Sequence, residues 1–244
     1  MKTAQRVLPI DLTRIDSELN SLELFVSKII RIAAALTMTC SPLAGCMTAS
    51  PKVYEGLASA GQLRPNPQDK SGRIPYKYHS TKNWQQYSKM IVDPVTVYNG
   101  RDSQFKDVTP KEKETLSRYM EKEFTQKLSQ RFAIVNAPGP DTLRLHLTMT
   151  GAKITTPLLG PVSRLDMAGG VYNTIQAVRG QEGSMSGSIS YAVEIYDAKT
   201  NRLLYAYVAK QYPNAMNVGA TFSSLEASKV GIRKGADELL AEFK

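Results

Sequence analysis

The chain has 244 residues, with 31 lysines and arginines against 22 acidic residues, and a formal net charge of +9. Its only cysteines and histidines are Cys40, Cys46, His79 and His146, which argues against a disulfide framework and against a histidine- or cysteine-rich metal centre. We therefore expect no metal and no cofactor, and the length suits a single domain that needs no covalent staples.

A short apolar stretch that follows Lys28 and Arg31 ends in a small-residue cleavage motif and a cysteine. A positive flank, an apolar core and small residues before the cut are the parts of a secretory signal peptide. A cysteine at the cut can carry diacylglycerol, and further acylation, for example with palmitate, gives an anchor that holds a protein stably on a membrane. The pattern predicts a lipoprotein whose cleavage motif and acylated residue are Leu43, Ala44, Gly45 and Cys46.

A transmembrane helix and a buried helix of a globular domain are the alternatives for this stretch. From Ile32 to Gly45 it is shorter than the roughly 20 apolar residues that a membrane span needs, and Pro42 interrupts it. A helix on a domain surface would show an amphipathic period, whereas residues 33–38 are apolar or small all round. The signal peptide is the better interpretation.

Residues 1–45 are accordingly predicted to be the signal peptide. Its first 25 residues contain Asp11, Asp16, Glu18 and Glu23, which does not suit a short positive n-region. Our hypothesis is that translation begins at Val26 and that residues 1–25 are not part of the protein.

Residues 46–89 are predicted to be a lipidated tether followed by a basic arm, ahead of a single domain over residues 90–244. The tether is rich in proline, glycine, serine and lysine and shows no sustained period. The arm mixes aromatic side chains, among them Trp84 and Tyr87, with basic ones.

Two interpretations of the basic arm stay open. Its cations could contact an anionic membrane surface, and the residues predicted for this contact are Lys70, Arg73, Lys77 and Lys82. Alternatively, the aromatic residues hold the arm on the domain while the lysines only solvate it, and this second interpretation is the favoured one. Nucleic acid is not an expected partner, because the signal predicts an exported protein.

The domain opens with a β-branched segment from Met90 that Pro94 breaks, which predicts an edge strand. Thr109, Pro110 and Glu112 then predict a capped helix with one apolar stripe, ending near Arg131. A short strand at residues 132–135 and a tight turn at residues 138–141 follow.

Alternating apolar residues from Leu143 to Met149 predict a strand with one buried face. Two more strands are predicted over 188–197 and 202–212, joined by a hairpin turn. A terminal helix follows, with a capping box of Ser223 and Glu226 and with two glycines, at 231 and 235, that weaken it. The predicted fold class is α+β: a largely antiparallel sheet with two helices packed on one face.

The run from Pro94 to Ile154, including the motif PGPDTLRL, resembles a bacterial lipoprotein family called domain of unknown function 3313. The later segment GSISYAVEIYDAKTNRLLYAYVAKQ continues the resemblance, which covers most of the chain after Cys46. Where such proteins often have Thr-Gly in the hairpin, this chain has Thr200-Asn201, and asparagine also tolerates positive φ. The resemblance implies a lipoprotein without an assigned activity and supplies no catalytic residues.

The search for catalytic residues gives weak candidates. Ser103 and Lys106 match an S-x-x-K pattern but lie in a predicted loop, where that chemistry does not operate. His146 is predicted to be a solvated strand residue. Most of the acids that could pair with it are expected to be structural, and they are Asp93, Asp141, Asp166 and Asp197.

The leading hypothesis is a non-enzymatic, membrane-anchored lipoprotein that binds a protein partner or serves an assembly of the cell envelope. Met47 after the acylated cysteine, by analogy with known sorting, predicts the outer membrane with the domain facing the periplasm. The alternative is a small envelope hydrolase acting on peptidoglycan or lipid, which requires Asp166, His146 and a serine to meet in a cleft.

Overall fold

The computed structural model describes residues 50–80, 83–154, 187–213 and 225–244. Residues 1–49, with the predicted signal and Cys46, lie outside the described residues, as do Lys82 and Asp166. The described strands are β1 Arg64–Pro65, β2 Tyr76–His79, β3 Lys89–Val92, β4 Thr96–Val97, β5 Gln104–Lys106, β6 Ala133–Ile134, β7 Thr142–Lys153, β8 Ser188–Asp197 and β9 Leu203–Gln211. The described helices are a 3-10 turn at Trp84–Gln86, α1 at Pro110–Leu128 and α2 at Glu226–Ala241.

Helix α1 begins at the predicted cap. The Thr109 hydroxyl accepts the Glu112 backbone N–H at 3.3 Å, and the Glu112 carboxylate accepts the Thr109 backbone N–H at 2.9 Å. This reciprocal pair satisfies two of the backbone donors that a helix start leaves free. The apolar stripe is fully buried, as predicted, and consists of Leu116, Met120, Phe124 and Leu128.

The strands form one sheet in the order β1-β2-β9-β8-β7-β3-β6, with β4 and β5 also paired to β7. Pairing is antiparallel from β1 to β7, while β3, β4 and β5 run parallel to β7. The predicted α+β class with a largely antiparallel sheet is confirmed. The predicted edge strand is corrected, because β6 returns after α1 and pairs with β3 on the side away from β7.

The β8–β9 hairpin has the predicted form. The Asp197 carboxylate accepts the backbone N–H of Thr200 at 2.8 Å and of Lys199 at 3.2 Å, which fixes the turn. Asn201 adopts φ of 54°, the left-handed conformation that asparagine tolerates better than most residues.

Both helices pack on the same face of the sheet, and the main hydrophobic core lies between them and β7, β8 and β9. The Phe124 ring of α1 meets the Tyr191 ring of β8 edge-on at 5.8 Å. Phe243, just beyond α2, meets Phe132 at 4.9 Å and Trp84 at 5.0 Å. The two-helix layer predicted from sequence is therefore confirmed.

The two glycines of α2 are sites of close packing and not weak points of the helix. A β-carbon on Gly235 would lie 1.9 Å from the Tyr191 hydroxyl, and one on Gly231 would lie 2.9 Å from the Gln211 carbonyl oxygen. Only glycine lets the helix approach the strands this closely. The start of α2 also differs from the prediction: Leu225 is the N-cap and makes no side-chain cap bond, and Ser223 lies outside the described residues.

The opposite face of the sheet is covered by residues 53–63, which we call the strap. Its buried residues Tyr54, Leu57 and Leu63 pack on a small second core with Ala192, Ala206 and Val208. Polar contacts also hold it. Among them, the Tyr54 hydroxyl donates to the Gln104 side chain at 2.9 Å, and the Ser59 backbone N–H donates to the buried Glu194 carboxylate at 2.6 Å.

The strap and β2 correct the predicted tether for its described residues. The described residues from Ser50 to Lys244 belong to one compact unit, and β2 pairs with β9 along its whole length. The segment after Ser50 is therefore part of the domain, because its aromatic residues are needed to complete both layers of the core. Neither of the described helices has the length and hydrophobicity that crossing a bilayer requires.

Candidate functional site

A polar cleft lies between the loop that joins β1 to β2 and the C-terminal half of α2. Its volume is about 230 Å³ beside Arg73 and Glu238, and an adjoining hollow of about 460 Å³ extends it past His79. Both parts share four lining residues of mixed character, which are Asn66, Gln68, Lys77 and Glu242.

The loop on one side of the cleft is shaped by its own sequence. The Asp69 carboxylate accepts the backbone N–H groups of Ser71 at 2.9 Å and Ile74 at 2.5 Å, as acidic residues commonly do in turns. Gly72 supplies the positive φ of 69° that the turn requires. These bonds aim the next side chain, Arg73, at the sheet.

Arg73 is buried at the base of the cleft. Its guanidinium donates to the Gln211 side-chain oxygen at 3.3 Å and lies over the Tyr212 ring at 4.2 Å. The Gln211 amide in turn donates to the Glu238 carboxylate. A chain of polar side chains thus connects the loop, the end of β9 and helix α2.

Glu238 is an acid of this cleft whose burial alters the pKa of its carboxyl group. Burial raises its pKa above the ordinary value of 4.5, although the nearby Arg73 charge and the Gln211 hydrogen bond oppose that rise. One turn further along α2, Glu242 pairs with Lys77 at 3.3 Å. Acids with altered pKa in a cleft are common at functional sites.

Three buried tyrosines of β8 and β9 belong to the main core on the helix-covered face of the sheet. The Tyr205 and Tyr207 rings lie 5.6 Å apart, and the Tyr191 and Tyr207 rings lie 6.5 Å apart. Burial raises the pKa of each of these hydroxyls well above the ordinary value, so they stay neutral. The lining of the cleft itself offers hydrogen-bonding groups and side chains of both charges.

A second group lies on β7 and the break between β3 and β4. His146 Nε2 lies 3.0 Å from the Asp93 carboxylate, and Arg144 lies 3.8 Å from the same oxygen. The His146 ring meets Tyr196 edge-on at 5.3 Å, and its side chain is 42% exposed. The histidine is therefore partly solvated, as predicted, and lies beside an acid in the segment that joins β3 to β4.

The chain matches a family model described as "Protein of unknown function (DUF3313)" over residues 53–239. The chain belongs to this family. That assignment confirms the resemblance seen in its sequence. Among curated proteins, the comparison finds no match.

Several solved structures resemble this family member at low sequence identity. A PelC dodecamer from Paraburkholderia phytofirmans is 9% identical, with 68% of this chain and 91% of that chain covered and a TM-score of 0.34. Protein XCC0632 from Xanthomonas campestris is 10% identical over 66% and 87%, with a TM-score of 0.33. A candidate lipoprotein from Caulobacter crescentus is 11% identical over 66% and 90%, with a TM-score of 0.30. Similarity at this low identity and TM-score does not indicate a shared function.

The basic residues predicted to contact a membrane have different environments. Arg73 is buried, Lys77 pairs with Glu242, and Lys70 donates to the Pro67 carbonyl at 3.2 Å. Arg73 cannot face a membrane surface from this position, since its guanidinium is held inside the domain. Lys82 and Asp166 lie outside the described residues.

The two turn aspartates have the expected structural roles. Asp197 fixes the hairpin turn and accepts the Tyr87 hydroxyl at 2.8 Å, while burial together with that bond raises the pKa of Tyr87 to about 12. Asp141 accepts the Ser88 hydroxyl at 2.5 Å and pairs with Lys89 at 3.2 Å. The Ser88 and Lys89 contacts hold the pKa of Asp141 below its ordinary value.

Sequence reasoning missed Gln211, Glu238 and Glu194. Gln211 and Glu238 belong to a predicted strand and a predicted helix, and nothing in the linear sequence shows that the β1–β2 loop brings Arg73 to them. Glu194 breaks the apolar run of β8, and that break was the available signal of a buried charge with a specific partner.

Proposed function

We propose that this DUF3313 member is a lipid-anchored component of the bacterial cell envelope that binds a partner without catalysing a reaction. The observation that carries the proposal is the run Leu43–Cys46 behind a short apolar stretch with Lys28 and Arg31 on its N-terminal side. Acylation of Cys46 would give the domain two or more chains, enough for stable anchoring.

We further propose that the anchor lies in the outer membrane and that the domain faces the periplasm. Met47 in place of aspartate after the acylated cysteine supports this by analogy with known sorting. The polar cleft supports the binding role, because carboxylates, amides and a guanidinium in its lining suit recognition by hydrogen bonds.

The anchor is tested by labelling cells with a clickable palmitate analogue. In Cys46→Ala the label should be lost and the precursor should stay unprocessed, because the acylated thiol is gone. Cys40→Ala is the matched control, since it removes the other cysteine of the chain and should keep the label. Continued labelling of Cys46→Ala would refute the assignment.

The binding role is tested by affinity capture from intact envelopes. Gln68→Arg adds a charge to the exposed rim of the cleft, and Gln62→Arg adds the same charge to an exposed position outside it. A partner that the wild type and Gln62→Arg retain and Gln68→Arg loses would support the cleft as the binding site. Equal capture by all three proteins would place binding elsewhere.

The pairing of His146 with Asp93 favours one second candidate, a small envelope hydrolase acting on peptidoglycan or lipid. A histidine oriented by a carboxylate is the base of many hydrolases. His146→Ala should then abolish release of fragments from isolated peptidoglycan or of fatty acid from envelope lipid. The hydrolase hypothesis would be wrong if His146→Ala released as much product as the wild type, or if the wild type released none.

A further inference from the structure

The chain enters the domain at a defined point. The Ser50 carbonyl oxygen accepts the Gln104 side-chain amide at 3.1 Å, and the next residue, Pro51, is buried. Tyr54 then donates to the same Gln104 side chain at 2.9 Å. From Ser50 onward, the chain is therefore held against the domain.

This entry point lies at one end of the sheet. Gln104 and Lys106 of β5 pair with Gly151 and Lys153 at the C-terminal end of β7. The β8–β9 hairpin lies at the other end, where Leu143 pairs with Asp197. At about 3.3 Å per strand residue, the two ends of β7, Thr142 and Lys153, are about 36 Å apart.

The predicted anchor leaves little chain before this point. Ser50 follows Cys46 by four residues, and a fully extended chain of that length spans at most about 14 Å. That reach is less than half the length of β7. Wherever Cys46 is held, the Ser50 end of the sheet must stay close to it.

Exposed charges of both signs lie at or beside the same end of the sheet. Lys52, Arg101 and Lys106 are exposed, and so are Glu55 and Asp107, while Lys52 lies 3.9 Å from Asp102. Cations near the surface of an anionic bilayer are attracted to it over roughly a Debye length. Acidic neighbours offset the cations at this end, so the short linker, and not charge, carries the orientation.

We infer that the end of the sheet formed by Ser50, β5 and the C-terminal end of β7 faces the lipid surface, and that the β8–β9 hairpin points away from it. The inference rests on the proposed anchoring of Cys46. It replaces the basic arm as the membrane-facing surface, since Arg73 of that arm is buried against Gln211 and Lys77 is paired with Glu242.

The test uses the full lipidated protein in vesicles of phosphatidylethanolamine with phosphatidylglycerol as the minor component. A donor fluorophore is attached to Arg101→Cys in one sample and to Lys199→Cys in another, two exposed basic turn residues at opposite ends of the sheet. An energy acceptor is carried on the lipid headgroups. We expect a much larger loss of donor emission for the Arg101→Cys label.

Both labelled proteins are also prepared with a long Gly-Ser insertion between Thr48 and Ala49. The insertion should reduce the difference in donor emission between the two labels, because the longer linker lets the domain rotate. Vesicle flotation separates the failures. If the protein floats but the Lys199→Cys label loses as much emission as the Arg101→Cys label, the orientation is wrong and the anchor stands. If the protein does not float with the vesicles, the proposed lipid anchor is wrong, and the proposed orientation is then wrong as well.

Discussion

The two faces of the sheet are covered in different ways. Helices α1 and α2 cover one face with large apolar side chains that are completely buried, whereas the strap covers the other with a few side chains and a set of long-range polar contacts. A face covered by regular helices gains its stability from area and packing. A face covered by irregular chain depends on individual anchoring residues, so single changes there should release the strap without unfolding the sheet.

Two leucines of the same chemistry test this difference most strongly. Leu116→Ala in α1 should lower the free energy of unfolding by about 2–5 kcal/mol, because it leaves a cavity in the main core. Leu57→Ala in the strap should cost about 2 kcal/mol or less, since the smaller core can collapse around it. Chemical denaturation measures both, with the exposed Lys122→Ala of α1 as a neutral control. Equal losses at both leucines would remove the distinction between the faces.

A glycine tests how closely the helix layer is packed. Helix propensity alone predicts that Gly235→Ala stabilises by about 1 kcal/mol. We expect a loss of about 1–3 kcal/mol instead, because the added carbon would overlap the buried Tyr191 hydroxyl. In the double variant with Tyr191→Phe the loss should shrink, as the overlapping atom is removed. A stabilising Gly235→Ala would show that α2 can move away from β8 freely.

A buried carboxylate tests how the strap is held. Glu194→Gln replaces the charged acceptor of the Ser59 N–H with a neutral one and should cost about 1 kcal/mol, since bonds to charged groups are stronger than neutral ones. Hydrogen exchange should accelerate at residues 57–63 while the amides of β8 and α1 stay protected. Faster exchange across the whole sheet would mean that the strap and the sheet open as one unit.

The smallest expected effect concerns pH and the carboxyl of Glu238. Because the folded-state pKa is raised, the unfolded chain ionises first as pH rises, so the folded state loses stability from about the ordinary pKa of 4.5 up to the folded pKa. Glu238→Gln removes that loss. The stability of the variant relative to wild type should therefore increase from acid to neutral pH in denaturation series. A flat difference would show that Glu238 has an ordinary pKa.

The sequence predicted the helix-covered face well, and for a local reason. The cap at Thr109, the four-residue spacing from Leu116 to Leu128 and the alternation of β7 are each encoded within a few residues. Such short-range patterns fix the element and the face that it buries. The hairpin with Asn201 was predictable on the same ground.

Other features were decided only by the tertiary structure. Residues 50–80 lack a period of their own, and they are ordered because distant groups such as Glu194, Gln104 and β9 accept their contacts. The sequence alone predicts that the glycines of α2 weaken the helix, whereas in the structure Gly235 packs against Tyr191 and Gly231 against Gln211. The cleft likewise joins Arg73, Gln211 and Glu238 from three separate segments.

The sequence by itself thus determined the predicted lipid anchor, the family and the helix-and-sheet framework, because each depends on residues that are neighbours along the chain. The tertiary structure decided where the domain begins, which face the strap covers and which polar groups meet in the cleft. Those contacts join residues far apart in sequence, and their partners are set by how the packed layers align and not by any local pattern.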